Sequence, residues 1–288
     1  MSHNFQTLKD IRNYLINKLN DIYPEKEIIA ITYHILKTQF GIDRLHLLTN
    51  PGQICTTEMK DRITEICAML KTGKPIQYIL GETSFFDCII KVNNDTLIPR
   101  PETEELVSII INENKEFRGR IIDFGTGSGC IAIALKKNLP LSIVTAVEIS
   151  EPALECAKTN AQLNSVNITF VKGDVIHFDH QIVPKAEIIV SNPPYVPESE
   201  KKFMNRNVLD FEPHKALFVP DIDPLIFYRA ILVLAEKLIT PGGRIYFEIN
   251  ETKGIETCNL LESAGFKEIA ILNDLNGKNR FVKGKYNG

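Results

Sequence analysis

Residues 120–135 read RIIDFGTGSGCIAIAL. Arg120 to Ile122 begins an apolar, branched run of strand type, Gly125, Gly127 and Gly129 follow at alternate positions, and Ile131 to Leu135 continues at helical spacing. Strand, glycine turn and helix in that order suit a nucleotide-type ligand, because glycine lets the backbone come close and a helix start offers N–H groups left unpaired. The spacing is G-x-G-x-G, with Cys130 where a dinucleotide fingerprint would carry its third glycine, which weakens an NAD reading.

Outward from this stretch, strand-type runs alternate with amphipathic helices. SIVTAVEIS is followed by a helix from Pro152, ITFVKGD by a loop, AEIIVSNPP by a helix across Leu225 to Leu238, and then comes GRIYFEIN. Such alternation predicts an α/β fold with a mostly parallel sheet and helices on both faces. The end differs: FKEIAILNDL and NRFVKGKY are two strands joined through Asn276-Gly277, so the sheet finishes in an antiparallel hairpin.

The N-terminal part has another period. From Phe5 to about Ile79 apolar residues recur at helical spacing, as in Leu8, Ile11, Leu15 and Leu19, with Pro24 opening a second helix and Gly41 closing it. A third starts near Thr56 or Thr57 and ends at Gly73 and Pro75. Next, FFDCIIKVNNDTLIP predicts two short strands with Asn93-Asn94-Asp95 as the turn between them. The expected organisation is a helical domain over 1–82, a β-hairpin linker over 83–100 and the sheet domain over 101–288.

The 288 residues are 44% hydrophobic and 24% charged, with a formal net charge of −3, which gives no reason to expect a phosphate backbone as the main partner. The six cysteines are scattered singly without a C-x-x-C pair, as reduced packing residues in a cytoplasmic protein would be, and no metal site is expected. No apolar run reaches membrane-spanning length, and the N-terminus lacks a basic segment leading into an apolar one.

Three strand ends offer acids along one edge: Asp123 beside the glycine loop, Glu148 after the second strand and Asp174 after the third. Each alone suits a helix cap or a solvated turn. Together they line the edge where open α/β sheets bind ligands. The fourth strand stops at Ser191-Asn192-Pro193-Pro194-Tyr195. Proline lacks an N–H and pushes the residue before it towards an extended conformation, so this corner is rigid and rich in acceptors. A planar NH2 group there could give one proton to the Asn192 side chain and one to the Pro193 carbonyl, while Tyr195 covers its flat face. The histidines His177, His180 and His214 read as solvated loop residues.

From Pro101 onwards the chain resembles the class I S-adenosylmethionine-dependent methyltransferases, whose seven-stranded sheet also ends in an antiparallel hairpin. The resemblance implies that Gly125, Gly127 and Gly129, with Thr126 and Ser128 between them, pack against the methionine part of S-adenosyl-L-methionine. It assigns the ribose to Glu148, the adenine to Asp174 and Val175, and a further cofactor contact to Asn192. Asn192, Pro193 and Tyr195 become the catalytic residues, and Asn192, Pro193, Pro194 and Tyr195 the substrate-binding ones. GKPIQYILG, LIPRPETEELV, SNPPYVPE, FEPHKALF and LNDLNGKNRFV narrow this to a resemblance to the release factor glutamine methyltransferase family, HemK and PrmC. It implies methylation of the side-chain amide of the glutamine in the Gly-Gly-Gln motif of class I peptide chain release factors. The enzyme would act as a cytoplasmic monomer, without direct nucleic-acid or membrane contact. The family usually has Asp where Glu148 stands and an aromatic residue at the place of Val175. Pro101, Glu102 and Glu104 read as a helix start with acids placed for the dipole. Two enzymatic alternatives share the corner, a nucleic-acid amino methyltransferase and a ribosomal-protein glutamine methyltransferase. The non-enzymatic one is a cofactor-binding scaffold.

Overall fold

The computed structural model describes residues 5–288, in two compact units. The smaller comprises the chain up to Gly81 together with Asn205–Phe211. It holds α1 (Leu8–Leu19), α2 (Glu25–Phe40), α3 (Arg44–Thr49), α4 (Thr57–Leu70) and α5 (Ile76–Leu80). The stripe Leu8, Ile11, Leu15 and Leu19 is completely buried against Ile28, Ile35, Ile63 and Ile66. Burial of each such side chain contributes about 2 kcal/mol. Local chemistry sets the ends: the Asp10 carboxylate accepts from Thr7 N at 2.9 Å, Thr56 Oγ1 accepts from Met59 N at 3.2 Å, and Gly41 ends α2 at φ +66°.

The larger unit begins with a hairpin, β1 (Glu82–Phe85) and β2 (Cys88–Lys91). Its turn is Phe86-Asp87, at φ 44° and 59°, and not Asn93-Asn94-Asp95 as the sequence suggests. A two-residue turn with positive φ at both central residues, as here, is one that phenylalanine rarely takes, so by residue type the Asn-rich segment is the better candidate. That segment makes a separate turn, in which Asp95 N donates to Asn93 Oδ1 at 2.9 Å and Thr96 N to the Asn93 carbonyl at 3.1 Å.

There follow α6 (Pro101–Glu113), β3 (Arg120–Phe124), α7 (Cys130–Asn138), β4 (Ile143–Glu148), α8 (Glu151–Leu163), β5 (Thr169–Lys172), β6 (Ala186–Ser191) and β7 (Val196–Pro197). Past the short α9 (Arg206–Phe211), which belongs to the smaller unit, come β8 (Phe218–Val219), α10 (Ile226–Leu238), β9 (Ile239–Glu248), α11 (Gly254–Ser263), β10 (Phe266–Asn273) and β11 (Asn279–Tyr286). Seven strands form the main sheet in the order β10-β11-β9-β6-β3-β4-β5, and β11 is antiparallel to both neighbours. The remaining pairings are parallel, so β3, β4, β5, β6 and β9 end on one edge. Along β3 the chain order reverses, with β4 on one side and β6 on the other, which opens the crevice that such sheets use for ligands. Tyr228, Ile231, Leu232, Ala235 and Leu238 of α10 pack with Phe124, Ile189 and Phe247 of the sheet into one core. Among the described residues no helix is long and apolar enough to cross a membrane.

Candidate active site

The glycine loop leaves β3 after Phe124 and is pinned to β4, since Gly125 N and Thr126 N both donate to the Val147 carbonyl, at 2.9 and 3.1 Å. Gly127 has φ +56°, and a Cβ there would enter open space. Gly129 serves packing instead: a Cβ would lie 3.1 Å from Ala157 and from Ile133, so its absence lets α7 start against α8. Beneath the loop, Asp123 is fully buried. Its Oδ2 accepts from Thr126 Oγ1 at 2.5 Å, while Oδ1 has no hydrogen-bond partner among the described residues. Burial pushes this carboxyl up to about 7.

Glu148 closes β4 and reaches the loop. Its Oε2 accepts from Gly127 N at 2.8 Å and its Oε1 from Ser150 N at 2.9 Å, so the carboxylate spans the loop and the start of α8. Asp174, after β5, accepts from Ile176 N at 3.0 Å and faces His177 Nδ1 at 3.0 Å.

The Asn-Pro-Pro-Tyr corner is fastened at both ends. Ser191 Oγ donates to the Phe124 carbonyl at 2.6 Å, tying β6 to the root of the glycine loop, and Val196 N donates to the Leu217 carbonyl at 3.0 Å where β7 pairs with β8. Asn192 Nδ2 donates to Thr103 Oγ1 at 3.1 Å. Tyr195 turns towards the core and gives its hydroxyl proton to Glu248 Oε1 at 3.0 Å. Glu248, 1% exposed, also accepts from Thr103 Oγ1 at 2.7 Å, and burial raises its carboxyl above the usual range. Arg100 pairs with the buried Glu212 at 2.6 Å, and the second Glu212 oxygen accepts from Ile98 N at 3.3 Å, so LIPRPETE and FEPHKALF are joined by one charged contact.

These elements enclose a cavity of about 730 Å³. Gly125, Thr126, Gly127 and Ser128 line it together with Glu148, Asp174 and Val175, and so do Asn192, Pro193 and Pro194. Two residues expected in the site are not on its wall: Gly129, which packs under α7, and Tyr195, whose ring is drawn inwards by Glu248. The far wall is Leu97, Pro99, Arg100, His214, Lys215 and Phe218, with the His214 ring edge-on to Phe218 at 5.2 Å. The sequence reading missed Thr103, which also lines the cavity. A signal was present: Thr103, Leu106, Val107 and Ile110 form a buried stripe at helical spacing, and its first member carries a hydroxyl.

A glycine loop pinned between β3 and β4, acids at the next two strand ends and an acceptor corner after β6, on a sheet of this order, define a methyltransferase. Residues 102–210 match the methyltransferase small domain and residues 10–81 the PrmC N-terminal domain. The release factor glutamine methyltransferase of Flavobacterium psychrophilum is 45% identical over 96% of this chain and 98% of its own. That of Bacteroides thetaiotaomicron is 43% identical over 94% and 98%. The chain belongs to the release factor glutamine methyltransferase family. Among solved structures, a methyltransferase from Pyrococcus furiosus superposes with a TM-score of 0.51 at 18% identity, covering 81% of this chain and 100% of that one. A T. thermophilus 16S rRNA N2 methyltransferase in complex with AdoMet and guanosine gives 0.51 at 15% identity, over 71% of this chain and 49% of that one. At these identities the two share the fold.

Proposed function

We propose that this enzyme methylates the side-chain amide nitrogen, N5, of the glutamine in the Gly-Gly-Gln motif of class I peptide chain release factors, using S-adenosyl-L-methionine. The carrying observation is the acceptor corner. Asn192 commits its amide nitrogen to Thr103 through one N–H, which leaves its carbonyl oxygen for the cavity, and neither Pro193 nor Pro194 has an N–H to compete. A primary amide has two N–H bonds to place, and Asn192 Oδ1 and the Pro193 carbonyl are two acceptors on one rigid turn.

The cavity residues fit the cofactor. Open space above Gly127 and the Glu148 carboxylate at the root of α8, both on the cavity wall, suit a ligand with a nucleoside at one end. Gly125 to Ser128 would hold its methionine part, Glu148 the ribose, and Asp174 with Val175 the adenine; Gly129 supports the loop from behind. When bound, S-adenosylmethionine supplies a methyl group on a sulfonium, a good leaving group that removes the need for a side-chain nucleophile.

An amide nitrogen is a poor nucleophile because its lone pair is delocalised into the carbonyl. Asn192 and Pro193 answer this by fixing the NH2 plane, and their hydrogen bonds strengthen as positive charge develops on the nitrogen. Tyr195 acts as a strut for the corner, with its hydroxyl on Glu248. The helical domain over 1–82 would recognise the body of the release factor, with the hairpin segment 83–100 leading into the methyltransferase domain over 101–288. We read the working enzyme as a cytoplasmic monomer. The reading is tested by offering intact release factor, its isolated Gly-Gly-Gln peptide, and total RNA and DNA to the purified enzyme with methyl-labelled cofactor. Label entering the intact factor supports it; label entering only nucleic acid would replace it with the nucleic-acid alternative.

A further inference from the structure

Thr103 lies at the start of the buried stripe of α6 and is itself 2% exposed. A hydroxyl in that position has one proton to give and lone pairs to accept with, and both halves need partners. The proton has a destination: Glu248 Oε2 lies 2.7 Å from Thr103 Oγ1, and the other oxygen, Oε1, takes the Tyr195 proton at 3.0 Å. With both oxygens receiving, the carboxylate is an acceptor only. Thr103 therefore has only its lone pairs left for Asn192, which meets it with Nδ2 at 3.1 Å. The amide of Asn192 carries donors on one side and a carbonyl on the other, so committing Nδ2 to Thr103 turns Oδ1 the opposite way.

The geometry points to Thr103 and Glu248 as positioning residues that fix the polarity of Asn192, so that the corner accepts a primary amide and rejects the carboxylate of the same shape. This rests on the glutamine reading above and adds a specificity to it. A glutamine side chain brings two N–H donors to the Asn192 and Pro193 oxygens. A glutamate side chain in the same place brings only lone pairs and a charge, and at least two acceptors are left facing one another without a proton between them. Were Asn192 free to turn over, its NH2 would meet the carboxylate and the distinction would shrink.

The test compares wild type with Thr103→Val, which keeps the shape and loses the hydroxyl, and with Thr103→Ser, which keeps the hydroxyl. Two quantities are read: methyl transfer to release factor, and inhibition by the same factor carrying glutamate in place of its target glutamine. In wild type and Thr103→Ser the glutamate factor should inhibit at least about tenfold more weakly than the glutamine factor binds. In Thr103→Val that ratio should fall towards one, and kcat should fall by about tenfold or more with a smaller change in KM. Cofactor affinity by calorimetry should stay within about twofold in all three proteins. Should Thr103→Val not fold, Glu248→Gln, which keeps the shape but removes the acceptor-only group, carries the same expectation.

A measurement without substrate accompanies these. The side-chain amide protons of 15N-labelled Asn192 should be protected from exchange in wild type and Thr103→Ser and lose protection in Thr103→Val. Unchanged discrimination together with unchanged Asn192 protection in Thr103→Val overturns the inference. A wild-type enzyme that leaves release factor unmethylated, while the Asn192 protons still respond to Thr103→Val, sinks the glutamine reading and leaves the polarity assignment standing.

Discussion

Asn160, fully buried on α8, donates through its amide nitrogen to the Ser128 carbonyl of the glycine loop at 2.9 Å. The same nitrogen reaches the Lys91 carbonyl at 2.9 Å, and Oδ1 accepts from Lys91 N at 2.7 Å, so one side chain secures both the hairpin and the loop. Asn164, one turn on, grips Ile89 in the same way, with Nδ2 to the carbonyl at 2.8 Å and N to Oδ1 at 3.2 Å. Replacing Asn160 by Ala leaves the buried Ser128 carbonyl and the part-buried Lys91 N–H without this partner and should cost about 1–3 kcal/mol in urea unfolding. Asn160→Asp should cost more, because it sets a carboxylate against two carbonyls. In calorimetry Asn160→Ala should weaken cofactor binding several-fold, whereas Asn164→Ala, whose side chain bonds the hairpin and the Asn160 carbonyl but not the glycine loop, should leave it nearly unchanged.

The contact between Arg100 and Glu212 predicts a different pattern. Glu212 is 4% exposed and Arg100 only partly buried, so Arg100→Ala leaves a charge inside without its partner. We expect a loss of about 2–4 kcal/mol, with roughly half recovered in the double variant Arg100→Ala with Glu212→Gln, which removes the stranded charge. Equal losses in the single and double variants would mean that the pair contributes through packing alone.

Asp123 gives stability a pH dependence of known sign. Burial raises its carboxyl from 3.8 in the unfolded chain to about 7, so between these values the folded protein binds more protons than the unfolded one. Stability of the cofactor-free enzyme should therefore fall as pH rises from about 4 to about 7, and Asp123→Asn should remove that slope. The check is the difference in Tm between wild type and Asp123→Asn across that range.

How much of this was legible in the sequence differs from element to element. The strand, glycine turn and helix at 120–135 and the acids at the strand ends announce themselves through local pattern, and the sheet follows from alternation. The hairpin turn at Phe86-Asp87 does not, because its positive φ values are imposed by the pairing of β1 with β2 and not by the residue types. Tyr195 next to two prolines reads as a lid. Its direction is decided by Glu248, 53 positions away, which no local pattern contains. Strands as short as β7 and β8 carry no period that could be read. In the PETE segment the glutamates read as acids placed for the helix dipole, whereas the residue that reaches the site is Thr103, the polar member of an apolar stripe.

The strut role of Tyr195 separates from a lid role in Tyr195→Phe, which keeps the ring and removes the donor to Glu248. A lid would tolerate the change. A strut predicts a loss of about 1–2 kcal/mol in stability and a several-fold fall in kcat at neutral pH. It also predicts a shift in the pH profile. Burial raises the Glu248 carboxyl, the protons of Thr103 and Tyr195 and the charge of Arg280 hold it down, and Glu102 opposes them. Thr103 needs the ionised form as its acceptor, so activity should fall as pH drops through this group's pKa. Losing the Tyr195 proton raises that pKa further and should move the acid limb of the kcat profile to higher pH.

In the proposed function the Asn192 and Pro193 acceptors hold a glutamine amide of a release factor for methylation. Its most direct measurement is mass spectrometry of the Gly-Gly-Gln peptide cut from release factor after incubation with S-adenosylmethionine and either wild-type enzyme or Asn192→Ala. With wild type, one methyl group should appear, located by fragmentation on the glutamine side chain, and Asn192→Ala should reduce it by at least about a hundredfold while still binding cofactor. A methyl group on another residue, or equal methylation by Asn192→Ala, would rule out this role for the corner.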